Sequence, residues 1–235
     1  MSDEIYKGHI TFVNYEKHFA TIDYLKDGKS GKMKSVNCKT ISPDGKKLHH
    51  FRVGDNIQFQ LRLSDRGDKM TAYNIKFLYN THLEVLLNKA VEENRFAGYL
   101  KKVDDGWLIK ERNSYIFFPL RLSKWEAQPA EEAVNEVINF SIQNQGKRNQ
   151  LYAELFSHSY IPEYKQAVEL SKQQKPVEAT VTRVSQYAAY VTILGGKIQS
   201  KLENGIDGLK EGDKLEVKIT YITPYRVVVE KAQTS

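Results

Sequence analysis

A pattern of short alternating strands returns three times along this chain, beginning at Gly8, Gly98 and Ala179 with a spacing of roughly 80–90 residues. Each block opens with a strand, turns, and returns on a strand carrying an aromatic: Phe19, Trp107 and Tyr190. A late Gly-Asp or Gly-Lys turn then stands beside another strand. About 70 residues with five short strands is the size of a small closed barrel, and closure hides the strand edges. In the first block the expected strands are Gly8–Asn14, Phe19–Tyr24, Lys34–Thr40, Asn56–Leu63 and Met70–Leu78. The fourth alternates most clearly, with Ile57, Phe59, Leu61 and Leu63 on one face and Gln58, Gln60 and Arg62 on the other. Lys26–Gly31 and Ser42–Gly45 carry turn residues. Two helical patterns separate the blocks. Thr81–Glu93 has Leu83, Leu86, Leu87 and Val91 at helical spacing with Thr81 as its cap, and Glu163–Gln174 follows Pro162. A third helix is expected at Ala130–Val137, inside the second block. The fold class is therefore mainly β: three five-stranded barrels joined by two short helices. The boundaries are 1–79, a helical linker 80–94, 95–160, a helical linker 161–175, and 176–235.

Charge and composition narrow the function. The net charge is +6. It is uneven: +5 over 1–79, zero over 96–160 and +2 over 161–235. Attraction for an anion is expected chiefly on the first block and next on the third. Lys7, Lys17, Lys29, Lys32, Lys34, Lys46 and Lys47 are candidates for a phosphate path. The single cysteine, Cys38, excludes an internal disulfide and a cysteine zinc site. His49 and His50 are adjacent, so in a strand they face apart, and no metal is expected. No phosphate-binding glycine loop, Ser–His–acid set or paired carboxylates can be picked out, so neither catalysis nor a cofactor is expected. Gly195-Gly196 reads as a hairpin turn and Asp104-Asp105 as another turn. No stretch is long and apolar enough for a membrane helix, and the acidic N-terminus lacks a signal core. A cytoplasmic protein without a membrane partner is expected.

The first block resembles a cold-shock domain. Gly8-His9-Ile10-Thr11-Phe12-Val13-Asn14-Tyr15-Glu16-Lys17-His18-Phe19-Ala20-Thr21-Ile22 follows that family's opening. Phe51-Arg52-Val53-Gly54-Asp55-Asn56-Ile57-Gln58-Phe59 fits its fourth strand, and Arg66-Gly67 with Ala72-Tyr73-Asn74-Ile75 its fifth. Carried across, Phe12, Lys17 and Phe19 match positions that touch nucleic acid. Thr21 stands where the family has a further aromatic, and Ser35–Cys38 lacks the family's third-strand cluster. The second block looks like a divergent copy, through Gly98-Tyr99-Leu100-Lys101, Gly106-Trp107-Leu108-Ile109 and Tyr115-Ile116-Phe117-Phe118-Pro119. Trp107 and Phe117 are its candidates, with Leu108 the inward alternative to Trp107 and Phe118 opposite Phe117. The third block is similar to the RNA-binding repeat of ribosomal protein S-one, through Val181–Val191 and Leu209–Ile219. There Arg183, Tyr187 and Tyr190 carry over, and Glu203 lies near the place of that repeat's histidine. The resemblances imply oligonucleotide-binding (OB) barrels.

Single strands are held by stacking bases on aromatic faces while cations follow the phosphates. The expected partner is single-stranded RNA, bound without chemistry by an RNA chaperone or a translation or transcript-stability factor. Two alternatives stay open: single-stranded DNA on the same surface, and a protein–protein module built from OB barrels. The leucines of the connector helices are expected to pack on neighbouring barrels, or else to hold a protein partner. Parity places Ile10 and Phe12 on one face; Ile22 is expected inward, and Phe19 and Phe12 are both expected outward. Tyr187 and Tyr190 require a bend between them if both face a ligand. The insertion Arg121–Glu136, with Trp125, Glu126, Glu131, Glu132 and Glu136, is expected to shield one face of the second barrel.

Overall fold

The computed structural model describes residues 4–26, 31–41, 50–64, 67–104 and 106–232. Lys29, Lys46, Lys47, His49, Arg66, Asp105 and most of the turns expected at Lys26–Gly31 and Ser42–Gly45 lie outside the described residues. Strands β1 (Tyr6–Asn14), β2 (Phe19–Leu25), β3 (Met33–Lys39), β4 (Asn56–Leu63) and β5 (Met70–Tyr79) form a closed barrel in the order β1-β2-β3-β5-β4. Ile57, Phe59 and Leu61 of β4 point into its core, with Ile10, Ile22, Val36 and Phe51. Leu63 departs from the expected face: it is exposed where β4 runs out of the barrel.

Helix α1 (Thr81–Glu92) follows. Its cap is Asn80, not Thr81: the Asn80 side chain accepts from the Leu83 N–H and donates to Asp55 Oδ1 at 2.8 Å. Asn80 is fully buried, so one amide satisfies both the helix start and the Gly54-Asp55 turn. Leu83, Leu86, Leu87 and Ala90 form the buried stripe and enter the core of the second barrel. Val91, expected in that stripe, falls at its edge and is 80% exposed.

The second sheet holds β6 (Phe96–Val103), β7 (Gly106–Glu111), β8 (Phe117–Pro119), β9 (Val137–Gln143) and β10 (Tyr152–Leu155) in the order β10-β9-β6-β7-β8. The strand order matches the first barrel, but β8 and β10 are joined by one bridge, Leu120 to Ala153, rather than a ladder. The helix expected at Ala130–Val137 is reduced to one 3-10 turn at Glu131–Ala133. Tertiary pairing overrides it. Leu100 N–H donates to Glu136 O, Asn135 N–H donates to Leu100 O, and Val137 already belongs to β9.

Helix α2 (Pro162–Gln173) carries Pro162 in its first turn and buries Tyr164 and Ala167. It packs on the third barrel, β11 (Val177–Val184), β12 (Ala189–Ile193), β13 (Ile198–Leu202), β14 (Lys214–Thr223) and β15 (Arg226–Lys231), closed in the order β11-β12-β13-β15-β14. Gly195 and Gly196 form the expected hairpin, both with positive φ. The chain divides into two compact units: 1–121 with 130–156, and 122–129 with 157–235. The insertion is split accordingly. Trp125 stacks on Tyr164 of α2 at 5.3 Å and belongs to the core of the second unit.

Candidate nucleic-acid interface

A strand of strict alternation would put Ile10 and Phe12 on the same side. The structure separates them with a bulge. Ile10 pairs with Ile22 and Phe12 with Thr21, so Thr11 is the extra residue and its hydroxyl turns back to the Thr21 carbonyl. Ile10 is fully buried while Phe12 is 49% exposed. The same device recurs in the third barrel. Val181 pairs with Val191 and Arg183 with Tyr190, Thr182 is extra, and the Thr182 hydroxyl donates to the Tyr190 carbonyl at 3.0 Å. Behind each bulge lies the same turn. Gly54 N–H donates to Ile10 O and Ile10 N–H to Asp55 O; Gly212 N–H donates to Val181 O and Val181 N–H to Asp213 O. Arg52 N–H and Lys210 N–H each donate to the aspartate carboxylate of their own turn. The two barrels thus repeat hydrogen bond for hydrogen bond, and the bulge re-aims the outer side chain in both.

On the first barrel the re-aimed Phe12 meets Phe19, with ring centroids 5.9 Å apart. Lys39 lies opposite Phe19 on β3, and Thr21 bonds to Asn37 beside them. Lys17 is exposed in the β1–β2 turn, its backbone N–H donating to Asn14 Oδ1 at 2.7 Å. Phe12 and Phe19 therefore share one outer surface, and Lys17 is exposed in the turn that joins their strands. Lys7, Lys32 and Lys34 are exposed as well.

On the third barrel Arg183 lies over the Tyr190 ring at 4.4 Å from its centroid. Tyr187 is 78% exposed. The bend that this requires is present: Ser185 N–H and Oγ both donate to Ala188 O. Sequence reasoning missed two neighbours. Lys201 sits opposite Tyr190, and the exposed Tyr221 pairs with Val228, itself opposite Lys201. The signal was faint, because Tyr221 gains its position from a second bulge, between Ile219 and Tyr221. Glu203 accepts from both Lys201 and Arg226; Lys201 and then Arg226 hold its carboxyl below the usual range.

The second barrel differs. Its β6–β7 ladder is unbroken, so no bulge re-aims a side chain. Trp107 has the parity of core-facing Ile109; it is half-buried against the barrel core, with Lys102 Nζ 5.9 Å from its ring centroid. Leu108, the proposed inward residue, takes the opposite parity yet is buried. Lys102 pairs with Glu131, which neutralises that one cation, whereas Lys101 donates to the uncharged amide of Asn135 and keeps its charge. Phe118 is fully buried and Phe117 points the other way. Phe117 packs on Tyr15 of the first barrel at 5.1 Å, and its carbonyl lies 3.0 Å from His50 Nε2. Arg52, fully buried, donates from Nη1 to the carbonyls of His50 and Arg148 and lies over the Phe118 ring. Of the eight candidates, Phe12 meets Phe19 and Arg183 meets Tyr190, while Lys17 and Tyr187 are exposed in the turns that follow β1 and β11. Trp107 and Phe117 join neither pair.

No protein-family model and no curated protein matches this sequence. Among solved structures, "drosophila Unr CSD456" aligns over 100% of this chain and 99% of its own, at 16% identity and a TM-score of 0.28. A multidomain protein with nucleic acid binding domains from Streptococcus pneumoniae aligns over 99% of this chain and 74% of its own, at 12% identity and a TM-score of 0.23. Likenesses at these scores carry no argument about function, which rests on this chain's own residues.

Proposed function

We propose that this chain binds single-stranded RNA through the outer faces of its first and third barrels and carries out no covalent chemistry on it. One observation carries the reading. A threonine bulge in each of these barrels turns a residue that alternation would bury out onto an aromatic face with a cation beside it: Phe12 and Phe19 with Lys39, Arg183 and Tyr190 with Lys201. Each stacked base contributes about 1–3 kcal/mol whatever its identity, and two such surfaces on one chain reinforce each other through effective concentration. Unstructured RNA suits them because its bases are already unstacked.

Fluorescence anisotropy with unstructured RNA and DNA oligomers across a salt series tests this. Lys17, Lys39 and Arg183 together imply a log–log salt slope of about −2, Lys201 being paired with Glu203. Phe19→Ala and Tyr190→Ala should each weaken binding about fivefold or more. Tighter binding to DNA of the same sequence would move the reading to DNA. Absence of binding to any oligomer at low salt would overturn it.

A further inference from the structure

Accepting that reading, we propose that the β7–β8 turn of the second barrel is a third contact for the strand. Tyr115 stacks a base there and Lys110 takes the adjoining phosphate. The path reaches this point from the first barrel across Tyr15 and Phe117.

Tyr115 is 63% exposed and has φ 59, in the left-handed region that asparagine or glycine occupies at little cost and a bulky residue rarely adopts. The turn that imposes this conformation is built around a buried acid. Glu111, 2% exposed, accepts at one carboxylate oxygen from Asn113 N–H at 3.0 Å, Ser114 N–H at 2.6 Å and Ser114 Oγ at 2.7 Å. Tyr115 N–H donates to Glu111 O, and Glu111 N–H to Ile116 O. These three bonds to one oxygen of a buried side chain pin the turn. A turn needing only to be stable would be served as well by asparagine at 115. Tyrosine keeps a large ring in water at a conformational cost.

Lys110 completes the platform. Its Nζ lies 4.6 Å from the Tyr115 ring centroid and 5.8 Å from that of Phe117. Among the described residues no carboxylate pairs with it, whereas Lys102 has Glu131 and Lys201 has Glu203. An ammonium held against two rings with its charge unneutralised is placed to meet a phosphate whose base lies on the ring beside it. Ring contacts continue from Phe117 to the first barrel. Phe117 touches Tyr15 at 5.1 Å, Tyr15 stacks on His50 at 5.4 Å, and Tyr15 shares the β1–β2 turn with Lys17. Phe117 therefore stands between the Tyr115–Lys110 platform and Tyr15 of the first barrel.

The test uses the full chain and an oligouridylate of about 20 nucleotides, long enough for more than one barrel. Tyr115→Asn removes the ring and relieves the backbone, so its melting temperature should hold or rise while affinity falls about fivefold or more. Lys110→Gln should weaken binding and make the salt slope shallower by about 0.7. Ultraviolet cross-linking should place a uridine adduct on Tyr115. If both variants bind as the wild type while Phe19→Ala weakens binding, the third contact is refuted and the two-surface reading stands. If the wild-type chain binds nothing, both fall.

Discussion

Gly8 and Gly98 occupy the same place in the first two barrels, the first of two residues in the opening strand that pair with both neighbours at once. Gly8 faces Tyr24 and Ile57; Gly98 faces Glu111 and Ile138. In the third barrel this place is Ala179, facing Ile193 and Leu215 and buried. A Cβ on Gly98 would lie 2.6 Å from Ile109 Cγ2, 2.7 Å from the Lys110 carbonyl oxygen and 3.1 Å from Phe140 Cε1. On Gly8 it would lie 2.6 Å from the Asp23 carbonyl oxygen and 2.8 Å from Ile22 Cγ2. Backbone oxygens cannot step aside as a side-chain tip can, so the ladder itself must shift. Overpacking of this kind costs about 1–3 kcal/mol. Against it stands the gain from restricting the unfolded chain, about 0.4–1 kcal/mol, since neither glycine has positive φ. The clash wins, and Gly98→Ala should destabilise the first unit by about 1–2 kcal/mol. With a urea slope of about 2 kcal/mol per molar, the midpoint falls by about 0.5–1 M. The assay is urea unfolding followed by tryptophan fluorescence. Trp107 lies in the first unit and Trp125 in the second, so a Trp125→Phe background isolates the affected transition. Ala179→Gly gives the converse check: lost packing and a freer unfolded chain should lower the midpoint of the second unit. A Gly98→Ala protein as stable as the wild type would refute the argument that the shared strand closes too tightly for a methyl group.

Two further outcomes follow from buried polar groups. Burial pushes the Cys38 thiol up to about 12 from an ordinary value near 9.0, only partly offset by a hydrogen bond with the Ala20 backbone. Folding thus favours the protonated thiol; the stability it contributes is complete below about pH 9 and is lost as pH rises towards 12, about 1 kcal/mol by pH 10. Urea midpoints measured at pH 8 and 10 should fall in the wild type and fall less in Cys38→Ala, and equal declines would count against burial as the cause. Arg52→Met removes the Nη1 bonds to the His50 and Arg148 carbonyls but also removes Nε and Nη2, which are buried without partners among the described residues. The usual cost of about 3–5 kcal/mol for breaking a buried charged contact should therefore shrink to about 1–3 kcal/mol. Urea unfolding measures it, and a stabilised Arg52→Met would show that desolvation of the guanidinium outweighs its bonds.

Local patterns in the sequence were enough to find the elements. Alternation located β4 at its true ends, Asn56–Leu63, because a strand buried on one face must repeat every second residue. Pro162 and the leucine spacing located both connector helices, since a helix start and a buried stripe are written within a few residues. What those patterns could not carry was anything depending on a partner strand. Period two puts Phe12 with Ile10; the bulge at Thr11 parts them, and a bulge exists only relative to the strand it faces. Ala130–Val137 has helical composition, but Leu100 captures its backbone groups, and a few local preferences yield to bonds with β6. Trp107 and Phe117 show the same limit: one takes core parity in an unbroken ladder, the other packs against Tyr15, about a hundred residues earlier in the chain. The sequence alone determined which residues are aromatic, cationic and on strands. Only the tertiary structure decided which of them reach water, because exposure is set by what lies across the ladder and between barrels, and those neighbours are far away along the chain.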